Sequence, residues 1–580
     1  MTETLVLKGI PAAPGLAKGP VAKVANQGLT VPEYEIKDVP NEITRLTEAR
    51  TISGVELAEF KKMIQSETSN NEAEIFEAHM MILEDESLIS LAESEIQAGK
   101  NAEFSWMKAV DFFAKQLEAI PDPTLSARAM DVRDVGQRVL RHLMGLDAGG
   151  IQLIKPSILV GRDLTPSDTV SLDKRLALSF LTAEGGPTSH TAILAKAFGL
   201  PAVVGLGSDL LTLPVDSLVL VDGNTGIVIV NPDQDTLDKF TRRQEAAGKA
   251  LQEALTVAFE PACTKDGRTV EIVANIGSDE DASFAHENGA EGVGLFRTEF
   301  LYLHRNTMPS EDEQVEAYTQ IFSHFQGQPV VVRTLDIGGD KEIPYLNFPK
   351  ELNPFLGWRG VRMLHGREDI LSDQIRSLLR AGVGVDLRIM VPMIALQEEI
   401  YEIKALIDKE RGRLIFEKKP CAEKVQFGIM VEVPSAAILS DRLAKSIDFF
   451  SIGTNDLTQY TIAVDRTNSQ VAHLASGFNP AVLFLIQRTI ESAHAAGKWC
   501  GMCGEFAGEP LAVPILLGMG LDEFSMSPAR IPSIKQLIRK LDQSDCQDLA
   551  AKVLQAVTDT EVKNLVNDFL TEREISIASA

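Results

Sequence analysis

Two sets of residues in this chain have the types and spacing to do chemistry. The first lies in the run TAEGGPTSHTAILAKAFGLPAVVG, Thr182 to Gly205, with His190 near its centre. Gly185 and Gly186 let the backbone turn and approach a ligand closely. Thr191 to Phe198 reads as a helix with one apolar face, stopped by Gly199 and Pro201, and Ala202-Val203-Val204 reads as a short buried strand. That spacing puts His190 at a helix start beside a glycine turn, where free N–H groups and the helix dipole favour an anion. A neutral imidazole there can attack phosphorus, and the neighbouring donors can hold the phosphate it acquires. The plainer reading of the same residues is a capping histidine after a tight turn.

The second set falls in the C-terminal half: Arg297-Thr298-Glu299, Arg333, Asp336 to Lys341, Glu432, Asn455-Asp456, Arg466 and Cys503-Gly504-Glu505. Arginine forks onto carboxylate or phosphate oxygens. Two carboxylates with few other protein ligands suit Mg²⁺, which keeps waters and takes substrate oxygens. A free thiol titrates near about 8.5 and is lowered by adjacent positive charge, which Arg297, Arg333 and a metal ion would supply to Cys503. Each residue alone has an ordinary alternative, an ion pair or plain packing.

The elements that must position these residues follow from the patterning. Eight β-like stretches carry the second set, at 270–277, 292–300, 329–339, 386–394, 425–434, 448–457, 498–505 and 522–528, with helix-like segments between them. Eight β/α units over roughly 310 residues match a (β/α)8 barrel, in which catalytic groups gather at the C-terminal strand ends. The first set belongs to another kind of segment. Residues 5–25 and 151–232 are short strands and turns, whereas residues 41–145 are helical in pattern. The predicted fold is therefore a multidomain α/β chain. A β-rich α/β domain built from residues 1–30 and 146–232 is interrupted by a helical bundle at 31–145. A helical linker at 233–260 and a TIM-type (β/α)8 barrel at 261–580 follow.

Composition narrows the function classes. The net charge of −26 argues against nucleic acid or an anionic membrane as partner and leaves a basic protein partner or plain solubility. No apolar run approaches the ~20 residues of a membrane span, and MTETLVLKGIPAAPG is not a secretory signal. Five cysteines, an odd number in a long chain, suit a reducing cytoplasm. Cys500 and Cys503 have CxxC spacing but no second pair or histidine ligands, so a zinc site is not expected.

The loop GGPTSHTAI resembles the phosphohistidine signature of the phosphoenolpyruvate-utilising enzymes. That family includes enzyme I of the bacterial sugar phosphotransferase system, pyruvate phosphate dikinase and phosphoenolpyruvate synthase. Many members carry a basic residue where this chain has Pro187. VGLFRTEFLY, RTLDIGGDK, NPFLGWRG, MVEVPSAA, FFSIGTNDLTQY, DRTN and GMCGE resemble the enzyme I barrel. IFEAHMMILEDESL resembles its carrier-binding helical subdomain, and DLTPSDT its phosphohistidine domain.

The resemblance covers nearly the whole chain and implies an activity. The phosphoryl group of phosphoenolpyruvate would pass to His190, and then to a histidine of the small carrier protein HPr, at the start of sugar uptake. Phosphoenolpyruvate would be bound by Arg297, Arg333, Asn455, Arg466 and Lys341, with Mg²⁺ on Glu432 and Asp456. Cys503 would protonate the enolpyruvate left behind, and Thr169 would hold the His190 imidazole. The carrier would dock at Glu77, His79, Met81, Leu83, Glu84, Asp85 and Leu88, a set that an ordinary amphipathic helix also explains. A homodimer through the barrel, a cytoplasmic location, and a swing of the β-rich domain about hinges near the helical block and the linker are further implications. Two other classes stay open: a dikinase-like enzyme relying on a separate nucleotide-binding chain, and a protein that senses phosphoenolpyruvate without turnover.

The histidine loop yields the first test. His190→Ala should fold normally and take up no label from phosphoenolpyruvate. The phosphorylated parent should lose its label in acid and keep it in base, as a phosphoramidate does. Undiminished labelling of the alanine variant would remove His190 from the chemistry.

Overall fold

A computed structural model describes residues 4–24, 31–67, 79–119, 123–146, 153–164, 172, 175–186, 189–303, 305, 307–338, 343–346, 351–466, 468 and 470–575. The chain divides into two compact units, residues 1–247 and 248–578.

In the first unit, eight strands form one mixed sheet in the order β1-β8-β7-β3-β4-β5-β6-β2. They are β1 (Leu5–Lys8), β2 (Ile10–Ala13), β3 (Leu16–Lys23), β4 (Ser157–Gly161), β5 (Ala177–Thr182), β6 (Ala202–Val204), β7 (Leu218–Asp222) and β8 (Ile227–Val230). Alternation along a strand sends successive side chains to opposite faces. Ile158 and Val160 of β4 with Val203 of β6 therefore pack into one apolar cluster, and Leu159, Ala202 and Val204 into another.

Between β3 and β4 the chain leaves the sheet for helices α1 (Val39–Glu67), α2 (Glu86–Gln97), α3 (Ala102–Glu118) and α4 (Pro123–Leu143). Their core is built around Trp106, which is fully buried and donates its Nε1–H to Gly136 O at 3.0 Å. Gly136 lets α3 and α4 approach, because a Cβ there would sit 2.5 Å from Val110 Cγ1. Helix α5 (His190–Phe198) packs Ala192, Leu194 and Ala195 on the β-sheet. Helix α6 (Gln234–Thr256) occupies the charged segment expected to be a helix.

The second unit contains the eight expected strands: β10 (Thr269–Ile276), β11 (Val293–Arg297), β12 (Pro329–Arg333), β13 (Asp386–Val391), β14 (Gln426–Val431), β15 (Phe449–Ile452), β16 (Trp499–Met502) and β17 (Glu523–Met526). A short β9 (Ala262–Cys263) adds an antiparallel strand to β10. All eight barrel strands are parallel to their neighbours, and β10 pairs with both β17 and β11. The sheet is thus closed, which removes any exposed edge. Outward residues such as Val330, Val332, Ile389 and Cys500 pack against the helical layer. Inward residues Leu295, Val331, Met390, Met430 and Phe449 fill the barrel.

The barrel floor is polar beneath that apolar layer. Arg388 lies 4.8 Å over the Trp499 ring, and Trp499 stacks on Phe449 with ring centroids 4.4 Å apart. Gly428 makes room for this stack, since a Cβ would meet the Phe449 ring at 2.4 Å. Arg388 Nη1 is 3.6 Å from Glu523 Oε2, yet neither Glu523 oxygen accepts a hydrogen bond from the described residues. Burial, aided by Glu271 and Asp522 and opposed by Arg388, pushes Glu523 up to about 8.

A carboxyl whose folded value is raised favours the folded state while it is protonated in both states. That contribution is fully present below the unfolded value of 4.5 and is lost as pH rises toward about 8. Glu523→Gln removes the titration. The stability difference between this variant and the parent should move in favour of the variant across that window and level off above it. Denaturant unfolding of both proteins at several pH values measures this, and parallel curves would mean that Glu523 is not buried as the carboxylic acid.

Candidate active site

The backbone of His190 is the first residue of α5, as the glycine turn and helix start predict. Gly185 takes a φ of 100°, which favours glycine, and Ser189 N donates to Gly186 O at 3.0 Å. The helix start is tied down by the next residue. Thr191 is fully buried, donates its hydroxyl to Asp163 Oδ1 at 2.6 Å and accepts from Leu164 N at 3.1 Å. Asp163 opens the DLTPSDT segment, so two motifs separated in sequence meet here. Thr169, Pro187 and Thr188 lie outside the described residues, as do Lys341 and Glu77.

The barrel mouth follows from period-two alternation. Inward residues Leu295, Val331 and Met430 are each followed two positions later by Arg297, Arg333 and Glu432, and Gly501 on β16 by Cys503. These four groups therefore stand in one layer at the C-terminal ends of their strands, where barrel enzymes place their chemistry.

A continuous chain of alternating charge links them to the loops above. Arg333 Nη2 donates to Glu299 Oε1 at 2.9 Å, and its Nη1 lies 3.3 Å from Asp336 Oδ2. Asp336 accepts from Arg359 Nε at 3.0 Å and from Arg359 Nη2 at 2.7 Å. Arg359 Nη1 donates to Asp456 Oδ1 and to the Tyr460 hydroxyl, both at 3.2 Å. Arg466 Nη1 stands 3.6 Å from Asp456 Oδ2. Glu299, Arg333, Asp336, Arg359, Glu432 and Asp456 are all buried. Behind the strand ends, Thr298 donates its hydroxyl to Arg333 O at 3.0 Å and accepts from Gln374 Nε2 at 2.9 Å. Gln374 Oε1 in turn accepts from Leu335 N.

Glu432 is the least compensated carboxylate of the mouth. Its Oε1 accepts from Met393 N at 2.6 Å and from no cation among the described residues. Burial, then Asp456 and Asp336, push it well above the ordinary carboxylate range, against Arg359 and Arg333. Arg297 is the least compensated cation. It keeps solvent contact and has no ion-pair partner among the described residues, and the surrounding walls and Arg333 both disfavour its charge. Asn455 is exposed at the start of helix Thr454–Ile462, beside buried Asp456. A cavity of about 590 Å³ adjoins this mouth, lined in part by Phe355, Met393, Val433 and Tyr460.

Cys503 and Cys500 face opposite ways, as expected: Cys503 packs with the inward apolar residues and Cys500 with the outer core. The expected lowering of the Cys503 thiol is not what its surroundings produce. Burial pushes it up to about 11, against the Ser451 hydroxyl, Arg333 and Arg297, while Glu432 adds to the rise. Both arginines act in the direction expected, but enclosure outweighs them.

The docking set on the helical block divides in two. His79, Leu83 and Leu88 are buried, His79 with Asp131 Oδ1 at 3.5 Å from its Nε2. Met81, Glu84 and Asp85 are exposed, and Asp85 also caps α2 by accepting from Ser87 N and Leu88 N. Of the described residues expected to meet a carrier, Met81, Glu84 and Asp85 are open to contact and the inward three are not. Sequence reasoning places Glu299 and Asp336 only as strand-end groups and gives Arg359 and Tyr460 no role. The one available signal for Arg359 is its place in the GWRG motif.

Three family models match the chain. They are those of the N-terminal domain of phosphoenolpyruvate-utilising enzymes over residues 8–128, the mobile domain over 153–226 and the phosphoenolpyruvate-binding domain over 252–543. Curated relatives match end to end. The chain is similar to a phosphoenolpyruvate-protein phosphotransferase of Staphylococcus carnosus strain TM300, at 42% identity over 97% of this chain and 99% of the relative. Figures for a protein of the same description from Bacillus subtilis strain 168 are 42%, 97% and 99%. For that of Lactococcus lactis subsp. cremoris they are 43%, 98% and 100%.

The charge chain predicts a large response to loss of one link. Arg359→Met leaves the buried Asp336 and Asp456 facing each other across the vacated site. Removing one partner from a buried ionic network costs about 3–5 kcal/mol. Urea unfolding should register a loss of that size with no change in slope, and a loss below about 1 kcal/mol would mean that the network is open to water.

Proposed function

The chain belongs to the phosphoenolpyruvate-utilising enzymes, and within them to the phosphoenolpyruvate–protein phosphotransferases, and from that premise we propose how its residues divide the reaction. The phosphoryl group of phosphoenolpyruvate passes to His190 Nε2 or Nδ1, and then to a histidine of the carrier HPr, the first step of phosphotransferase sugar uptake. The observation that carries this reading is the meeting of Arg297, Arg333, Glu432, Asp456, Arg466 and Cys503 around one barrel mouth.

Phosphoryl transfer depends on positioning and on charges held ready for the transferring oxygens. Arg297, with no ion-pair partner among the described residues, is suited to take a substrate oxygen. Arg333 is held at a fixed angle by Glu299 and Asp336, so it can present its remaining edge without reorganising. Arg466, half-open to solvent, and exposed Asn455 complete the substrate's surroundings, with Lys341 assigned alongside them.

Glu432 and Asp456 fit Mg²⁺. Among the described residues no cluster of three or more metal-ligating side chains exists, and Mg²⁺ needs only one or two carboxylates when substrate oxygens supply the rest. The carboxylates Glu432, Asp456 and Asp336 crowd one region, and burial together with their mutual repulsion raises Glu432. When bound, the ion supplies positive charge against the phosphate and enolate oxygens.

After the phosphoryl group leaves, enolpyruvate needs a proton at its methylene carbon. A thiol near 11 holds its proton at neutral pH, so Cys503 is loaded as the acid when the enolate forms. Thr191 and Asp163 fix the start of α5 and with it the backbone of His190; Thr169 is assigned to the imidazole. Carrier docking is assigned to the face bearing Met81, Glu84 and Asp85. No helix among the described residues is long and apolar enough to cross a membrane; a cytoplasmic location is assigned from the family. Leu352, fully exposed, and Leu356 offer apolar surface for a second copy of the barrel.

The test is incubation with labelled phosphoenolpyruvate and Mg²⁺, followed by location of the label. It should sit on His190. A fragment of residues 1–258 should exchange label with phosphorylated carrier and ignore phosphoenolpyruvate. If that folded fragment reacts with phosphoenolpyruvate directly, the barrel is not the substrate site.

A further inference from the structure

Cys503 is held from several strands at once. Its N–H donates to Ile452 O at 3.1 Å, its carbonyl accepts from Asn275 Nδ2 at 3.0 Å, and its Sγ lies 3.8 Å from Ile452 O. Asn275 is fixed in turn by Ser525, whose hydroxyl donates to Asn275 Oδ1 at 2.6 Å. On β15, Ser451 pairs in register with Gly501, which puts it one inward layer below Cys503. Ser451 is fully buried, and among the described residues its hydroxyl meets no nitrogen or oxygen partner, only the Cys503 sulfur. It stands against the Cys503 sulfur, where it favours the charged form.

A neutral thiol is a weak acceptor, whereas a thiolate accepts strongly. A buried hydroxyl whose neighbour is only a weak acceptor costs free energy. One kept beside a sulfur therefore points to a state in which that sulfur is the acceptor. The charged groups facing the sulfur are Arg297 from β11, Arg333 from β12 and Glu432 just past β14. The two cations favour the thiolate, and the carboxylate opposes it. Ser451 is the neutral donor in this ring.

We propose that Ser451 is a positioning residue for the protonation step, its hydroxyl donating to the Cys503 thiolate that forms when the thiol gives up its proton. This rests on the reading of Cys503 as proton donor. In the step, the S–H bond breaks and its electron pair stays on sulfur. The enolate oxygen's electron pair closes the ketone C=O, and the C=C pair forms the new C–H bond at the methylene carbon. Water later returns a proton to sulfur. In the reverse direction the thiolate removes a proton from the pyruvate methyl group, so the same hydroxyl serves both directions.

The test uses full-length protein. Ser451→Ala deletes a hydroxyl whose neighbour is only a weakly accepting thiol, a change that leaves folding nearly untouched. The pH dependence of Cys503 alkylation by iodoacetamide, followed on the Cys503 peptide by mass spectrometry, should shift upward by about one unit. Single-turnover labelling of His190 should stay at the parent rate. Deuterium incorporation at the methylene carbon should slow about tenfold, the factor that one unit represents. An unchanged alkylation midpoint overturns the proposal, even if protonation slows, because packing alone would then be responsible. Cys503→Ala, run in parallel, separates the two readings. If it protonates as fast and as stereospecifically as the parent, the donor assignment fails and Ser451 falls with it. If it loses protonation while the Ser451→Ala midpoint stays at the parent value, only the role of Ser451 is rejected.

Discussion

The site depends on one constraint, the balance of charge taken out of water at the barrel mouth. An isolated buried ion is far too costly to keep, and such groups persist only when paired. Here the pairing runs as a single chain, Glu299 to Arg333 to Asp336 to Arg359 to Asp456 to Arg466, with each interior link holding two neighbours. Two groups stand aside from it. Among the described residues, Glu432 has no cation bonded to it and Arg297 has no ion-pair partner. The chain of pairs makes the fold tolerate the mouth, and the two leftover charges are what the mouth can offer to something else. A cation would answer one and an anion the other, which is what the proposed Mg²⁺ and anionic substrate would supply.

Much of this is legible in the amino-acid sequence. The eight apolar stretches coincide with the eight barrel strands because a strand buried on both faces leaves a short, nearly continuous apolar run. Counting by twos from Val331 or Met430 then places Arg333 and Glu432 on the inner face. Arg359 is not reachable in that way. It arrives on an irregular segment twenty-three positions past Asp336 in the numbering, and no periodicity states where such a segment returns. Depth is also illegible. The arginines near Cys503 imply a lowered thiol, but how completely the barrel encloses the sulfur is a property of the closed sheet. His79, Leu83 and Leu88 show the same limit on the helical block, since a buried polar residue and a docking residue can look alike in one sequence.

The two units hold their candidate groups in opposite ways. The His190 backbone sits at the first residue of a nine-residue helix, fixed among the described residues through a threonine–aspartate contact and a glycine turn. The barrel groups are locked by strands, by the Thr298–Gln374 bonds behind them and by one another. Such locking suits a pocket that must present the same field at every turnover.

The floor of the barrel sets a rule of traffic. Arg388, Trp499, Phe449 and Glu523 fill the cross-section below the reactive layer, and Gly428 and Gly501 give up their side chains to let them close ranks. The barrel is thus a cup, not a tube. In the proposed reaction, a small acid that enters to lose its phosphate must leave by the rim it came through, the same rim from which the phosphate would be collected. Arrival and departure therefore take turns, and a keto acid that lingers in the cup delays the next delivery simply by standing in the doorway.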